Sequence, residues 1–218
     1  MLILHYTATK TGEEACDWLC NPQSQVSCHY LIMEDGSLRQ LVDEKQRAWH
    51  AGVSSWHDQS DINSRSIGIE IQHDGDISKP YPEIQITNLI ALIGSILSHY
   101  AIPPCHILGH SDVAPFRKID PGAHFPWQRL AHAGIGHYVL PHPLISGPFL
   151  QQGDSGQAVE ALQGMLALYG YPVEINRVYD DKLTLIIRAF QMHFRPEKCD
   201  GIADYSTIAT LKELLNSL

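Results

Sequence analysis

Apolar and polar positions fall into two regimes along the chain. Over the first two-thirds, short alternating runs are interleaved with one long helical stripe; over the last third the period is helical throughout. Leu2 to Thr7 is a β-type apolar run. His29–Met33 and Leu38–Val42 flank Glu34-Asp35-Gly36-Ser37, the pattern of two strands closed by an Asp-Gly hairpin turn. Ser66–Gln72 alternates, with Ile67, Ile69 and Ile71 on one side and Gly68, Glu70 and Gln72 on the other. The isoleucine side is expected to be core, which turns Glu70 towards a cleft or solvent. From Asn88 to Tyr100 an apolar stripe (Leu89, Ile90, Ile93, Ile96, Leu97, Tyr100) predicts a helix, with Thr87 as N-cap and Pro103-Pro104 past its end. His106-Ile107-Leu108 is a short strand that opens at Gly109-His110 into a long loop containing Pro115 and Pro121. This interleaving predicts an α/β fold, a mixed central β-sheet flanked by helices.

Residues 137–150 carry three prolines and read as a connector. Beyond them, three stripes predict helices over Gln157–Tyr169 (with Gly170 as C-cap), Leu183–Phe194 and Thr207–Leu218. The expected organisation is therefore an α/β domain over 1–140, a linker over 141–150, and a small three-helix bundle over 151–218. So small a bundle has little room for a catalytic pocket, and binding or docking suits it better.

Composition narrows the function. Fifteen Lys and Arg against 24 Asp and Glu give a net charge of −9, which removes a general electrostatic grip on nucleic acid or anionic lipid. No apolar run is long enough for a transmembrane helix. The five cysteines lack C-x-x-C spacing and do not read as a disulfide framework or a thiolate zinc site. No signal peptide precedes the first strand, so a cytoplasmic protein and one whose export segment is missing are both open. Thirteen histidines raise the question of a metal.

His5 and His110 each end a predicted strand, and Asp120 lies on a loop that can fold back. Two imidazoles and a carboxylate leave zinc a fourth position for water, the arrangement of a hydrolytic site. Spacing alone does not separate this triple from ordinary hydrogen-bonded histidines, since 13 His offer many such sets. Likewise Glu70 alone could be a half-exposed strand carboxylate, and Lys118 a solvated lysine.

Seven short segments in order change that balance: LILHYTA (2–8), SCHYLI (27–32), AWHAG (48–52), SIGIEI (66–71), GHSDVAP (109–115), RKIDPG (117–122) and FPW (125–127). Together they resemble the zinc-dependent N-acetylmuramoyl-L-alanine amidase family (type 2), related to phage T7 lysozyme and to peptidoglycan-recognition proteins. AFQMHFRP (189–196) resembles the C-terminal domain of two-domain members from the enterobacterial outer membrane. The resemblance implies one zinc ion (Zn2+) per chain held by His5, His110 and Asp120. It implies Glu70 as the catalytic glutamate and Lys118 as a fixed positive charge beside the metal. Trp49, His50, Arg117 and the loop after Glu70 are implied to line the substrate groove.

The implied reaction is hydrolysis of the amide joining N-acetylmuramic acid to L-alanine in peptidoglycan or muropeptides. A non-catalytic peptidoglycan recognition module of the same fold is the alternative, and a zinc deacetylase is a second. The C-terminal segment resembles a peptidoglycan-binding three-helix domain, although the usual glycine is absent around Val178-Tyr179-Asp180, which keeps a packing role open. By analogy the location is the periplasm or cell envelope, and a monomer is expected. Cys28 stands where many relatives carry serine. Relatives also carry residues ahead of the first strand, so a longer native chain is expected.

Overall fold

The computed structural model describes residues 1–218. Five strands form one sheet: β1 (Leu2–Tyr6), β2 (Tyr30–Ile32), β3 (Leu38–Gln40), β4 (Ile67–Ile71) and β5 (Ile107–Gly109), in the order β3-β2-β4-β1-β5. Only β3 is antiparallel; its hairpin to β2 closes with Gly36 at φ +82° and the Asp35 carboxylate accepting from the Ser37 N–H. The three central parallel pairings bring the carboxyl ends of β1, β4 and β5 to one edge, where crevices form in sheets of this kind.

One sheet face is closed by helix α2 (Glu83–His99). Its Ile86, Leu89, Leu92, Ile93 and Ile96 pack on Leu2, Leu4, Ile67, Ile69 and Ile71. Thus the isoleucine side of β4 is core, as the alternation predicts. The helix begins at Glu83, five residues before the predicted start, with Pro82 rather than Thr87 at its N-cap. The polar Gln85 masks this first turn in the sequence: it is fully buried, and its amide donates to the carbonyls of Met33 and Gln72.

The other sheet face is covered only at its two sides. Helix α1 (Gly12–Leu19) lays Ala15 and Leu19 over Leu31 of β2. It was not predicted, because eight residues carry too thin a stripe; its one local signal is Thr11-x-x-Glu14, where the Thr11 hydroxyl accepts from the Glu14 N–H. Over the β5 side lie α5 (Gln157–Tyr169), α6 (Asp181–Phe194) and α7 (Tyr205–Asn216), all three near their predicted positions, with Gly170 as the C-cap of α5. The strip between these covers, above β1 and β4, stays open.

The C-terminal helices share a continuous core with the sheet: Ile3, Trp56, Ile62, Leu108 and Val113 pack with Leu166, Tyr169, Tyr171, Ile187 and Phe190. Gly170, at φ +131°, lies so close to the Trp56 ring that a Cβ would fall 2.5 Å from it. A short helix, α3 (His110–Val113), stands where the sequence suggests loop, and α4 (Trp127–His132) follows it.

Asp112 of α3 is fully buried and fastens the two parts together. Its Oδ1 accepts from the Tyr171 hydroxyl at 2.6 Å, and its Oδ2 accepts from the Gly109 N–H and from His193 Nδ1, both at 2.7 Å. The His193 ring is sandwiched between Trp127 and Phe194 at centroid separations of 3.6 and 3.8 Å. Burial, then the Asp112 charge, pushes the Tyr171 hydroxyl well above its ordinary pKa, so it stays a donor. Asp112→Ala strands these buried donors and is expected to cost about 3–5 kcal/mol, measured as a lowered urea midpoint at unchanged slope.

Candidate active site

His5 ends β1 and pairs in register with Glu70 on β4, so both side chains leave the sheet on the same open face. His110 begins α3 directly after β5. The chain then turns at Ala114, whose carbonyl accepts from the Arg117 and Lys118 N–H groups, and returns so that the Asp120 carbonyl accepts from the Ser111 N–H at 2.9 Å. That return brings together three residues far apart in sequence. His5 Nδ1 lies 3.1 Å from Asp120 Oδ2, His110 Nδ1 lies 3.0 Å from the same oxygen, and the two Nδ1 atoms are 3.0 Å apart. All three residues are buried.

The donor set fits a metal ion. His110 Nε2 lies 3.1 Å from the Ala51 carbonyl, which only accepts, so a metal on Nδ1 would leave the ring proton a ready partner at Nε2. Two imidazole nitrogens and a carboxylate oxygen converge with no room between them for anything larger than an ion. Imidazole and carboxylate donors suit zinc. Burial, with the charge of His110, lowers the His5 pKa to about 4 against the opposing pull of Asp120, so the ring is neutral at neutral pH. For Asp120 burial works upward, but the adjoining His110 and His5 rings outweigh it and hold the carboxyl well below its usual range.

A cavity of about 380 Å³ opens above this cluster. Its wall includes His5, His50, Glu70, His110, Arg117, Lys118 and Asp120, so seven of the eight residues singled out in the sequence meet in one place. The eighth, Trp49, is exposed and lines a neighbouring depression with Leu19, Val26 and Ser27, which also border the main cavity. The loop after Glu70 does not border the cavity: Gln72 and His73 are buried and bonded inward. The facing wall comes from Trp18 and Leu19 of α1, with Thr7–Thr9 and Ile119. Trp18 is the residue the sequence reading missed. Its signal was an aromatic at helical spacing from Ala15 on a short helix, and it is 57% exposed.

Glu70 is half-buried, and its Oε2 is enclosed without a hydrogen-bond partner. The residue borders the cavity, and an enclosed carboxylate oxygen without a protein partner calls for an explanation in a group that joins the site later. Burial, then the negative charge of Asp120, raises the Glu70 pKa well above its ordinary value, while Lys118 pulls it down. Arg117 is tied to the wall: Nε donates to the Val53 carbonyl at 2.9 Å and Nη2 to that of Ala51, the acceptor it shares with His110.

A crevice at the carboxyl ends of parallel strands, with a convergent His/His/Asp donor set that could hold a metal ion and a pKa-raised carboxyl beside it, has the form of a hydrolase site. Comparison with known proteins places it further. Residues 1–123 match the family model of N-acetylmuramoyl-L-alanine amidase, and residues 155–211 match that of a peptidoglycan binding domain. The chain is 37% identical to the N-acetylmuramoyl-L-alanine amidase AmiD of Escherichia coli K12 over 99% of its own length and 82% of that protein. It superposes with a TM-score of 0.84, at 35% identity, on E. coli AmiD complexed with anhydro-N-acetylmuramic acid-L-Ala-D-γ-Glu-L-Lys, covering all of this chain and 88% of that one. On AmpDh3 of Pseudomonas aeruginosa in complex with anhydromuramic pentapeptide the TM-score is 0.82 at 32% identity, covering all of this chain and 91% of that one. The chain belongs to the N-acetylmuramoyl-L-alanine amidase family and is an enzyme of that activity.

Proposed function

We propose that the chain cleaves the amide between N-acetylmuramic acid and L-alanine in muropeptides, using one zinc ion held by His5, His110 and Asp120. The observation that carries this reading is that Glu70, one of whose carboxylate oxygens is unpartnered, lines the same cavity as a triad of mutually facing ligand atoms. When bound, zinc supplies Lewis acidity, polarising the scissile carbonyl and acidifying water. Glu70 takes the proton of the attacking water and delivers it to the departing alanine nitrogen; a pKa raised by burial favours holding that proton between the two steps. Lys118 offsets the negative charge that grows on the carbonyl oxygen. Arg117, immobilised by two carbonyls, adds positive charge to the wall, and exposed Trp49 offers a stacking surface at the rim.

The sign of the Lys118 contribution gives a prediction. Lys118 is the group that draws the Glu70 pKa down. In Lys118→Met the base form of Glu70 appears only at higher pH, so the acid limb of the kcat/KM profile moves alkaline, alongside a loss in kcat. An acid limb that stays in place would detach Lys118 from Glu70.

The reading extends to organisation and place. It divides the chain into a catalytic domain (1–140), a linker (141–150) and a C-terminal domain (151–218) that binds wall material. The separate family matches at 1–123 and 155–211 support that division. No helix is long and apolar enough to cross a membrane. We place the enzyme in the periplasm or cell envelope, acting as a monomer. The test uses an anhydromuramyl peptide, the ligand class seen in the relatives. Mass spectrometry is expected to find free L-Ala-headed peptide that disappears with chelator and returns with zinc. Bound but uncleaved ligand would favour a recognition module, and released acetate a deacetylase.

A further inference from the structure

The buried polar contacts behind His5 form a chain that ends on a group with only one possible role. Ser66 Oγ lies 2.6 Å from the Ile62 carbonyl, which can only accept, so the Ser66 proton points there. With that proton committed, Ser66 Oγ must act as acceptor towards His50 Nε2 at 3.2 Å, which therefore carries the His50 ring proton. His50 Nδ1 is then bare and accepts, at 3.0 Å, from His5 Nε2. The His5 proton sits on Nε2, and its Nδ1 faces Asp120 and His110 as a bare lone pair. The carbonyl at the far end sets these directions; the Asp120 carboxylate at the near end, 3.1 Å from His5 Nδ1, is the rival acceptor for the His5 proton.

The position of the His50 ring is fixed independently. The Asn63 side-chain oxygen accepts from the backbone N–H groups of both His50 and Ala51, at 3.0 and 2.7 Å. The ring occupies the space where residue 68 would carry a side chain: a Cβ on Gly68 would fall 2.4 Å from it. The ring meets His5 edge-on, with centroids 5.1 Å apart and planes at 81°. His50 is 8% exposed and both ring nitrogens are engaged, so no polar atom of that side chain is left for substrate.

We propose that His50 and Ser66 are positioning residues that set the tautomer of His5, presenting its bare Nδ1 to the metal, and that His50 is not a substrate contact. The proposal rests on the reading of His5, His110 and Asp120 as zinc ligands. At His110 the Ala51 carbonyl plays the corresponding part, 3.1 Å from Nε2, with Arg117 Nη2 a second neighbour of that nitrogen at 3.4 Å. The two imidazoles are thus set by separate devices, and the Ser66 device can be removed without touching a ligand.

The experiment is done on the full chain stripped of metal. Long-range 1H–15N correlation spectra of the apoprotein are expected to show His5 and His50 both protonated at Nε2. Zinc affinity, measured by competition with a chromophoric chelator, is expected to fall about tenfold to a hundredfold in Ser66→Ala, the usual cost of losing an outer-shell partner. Ser66→Thr, which keeps the hydroxyl, is expected to restore affinity to within a few-fold of the original. His50 protonated at Nδ1 in the unaltered protein, or zinc binding undiminished in a folded Ser66→Ala, would overturn the relay. An unaltered protein with Nε2-protonated rings that binds no zinc would instead overturn the ligand reading beneath it.

Discussion

Glu70→Gln is expected to lower turnover by about 10²–10⁴-fold while zinc remains bound stoichiometrically, because the substitution removes a proton acceptor and leaves the ligand set intact. Glu70 stands next to His5 across the β1–β4 pairing, so its removal changes the cavity without displacing the strand that carries the ligand. Glutamine keeps the volume and loses only the ionisable group. Metal analysis run beside steady-state kinetics separates chemistry from assembly. If Glu70→Gln retained activity within a few-fold of the original enzyme, the general base would have to be another group. If it lost zinc as well, Glu70 would belong to the metal set.

Asp120→Ala is expected to do the reverse. Its carboxylate is the only anion among the three facing ligand atoms and is the common neighbour of both imidazoles. Zinc affinity should fall by more than about 100-fold, beyond the range for loss of an outer-shell partner, and activity should fall with it. The Asp120 backbone bond to Ser111 survives the change, so the loop that carries Lys118 keeps its anchor. Circular dichroism close to that of the unaltered protein, together with loss of zinc in equilibrium dialysis, is the expected pair of results. A variant that binds one zinc as tightly as before would remove Asp120 from the ligand set.

Much of this site was legible in the chain. Alternation in SIGIEI places Glu70 opposite an isoleucine core, and the motif words single out His5, His110, Asp120, Arg117 and Lys118 through their resemblance to the amidase family. What stayed hidden depends on contacts between distant segments. Parallel register, which sets Glu70 beside His5, leaves no mark on either strand taken alone. Helix α1 was too short for its stripe to stand out, so Trp18 went unnoticed as a cavity wall. The first turn of α2 was masked by Gln85, a polar residue in a core position that pairs with two carbonyls.

The same reason hides the join between the two parts of the chain. Asp112 reads locally as a residue of the GHSDVAP word, while its partners Tyr171 and His193 lie 59 and 81 residues further on. Each of the three is ordinary until the fold brings them into contact. The C-terminal helices were expected to be a separate docking module. In the structure they also bury the back of the helix that begins with His110, so their packing supports the placement of a ligand.

The central claim is the location of a single zinc ion. Crystals of the zinc-replete protein, measured on either side of the zinc absorption edge, test it directly. One anomalous peak per chain is predicted, within bonding distance of His5 Nδ1, His110 Nδ1 and an oxygen of Asp120. A catalytically active protein whose zinc peak lies away from these three atoms, or whose crystals show none, would contradict the account.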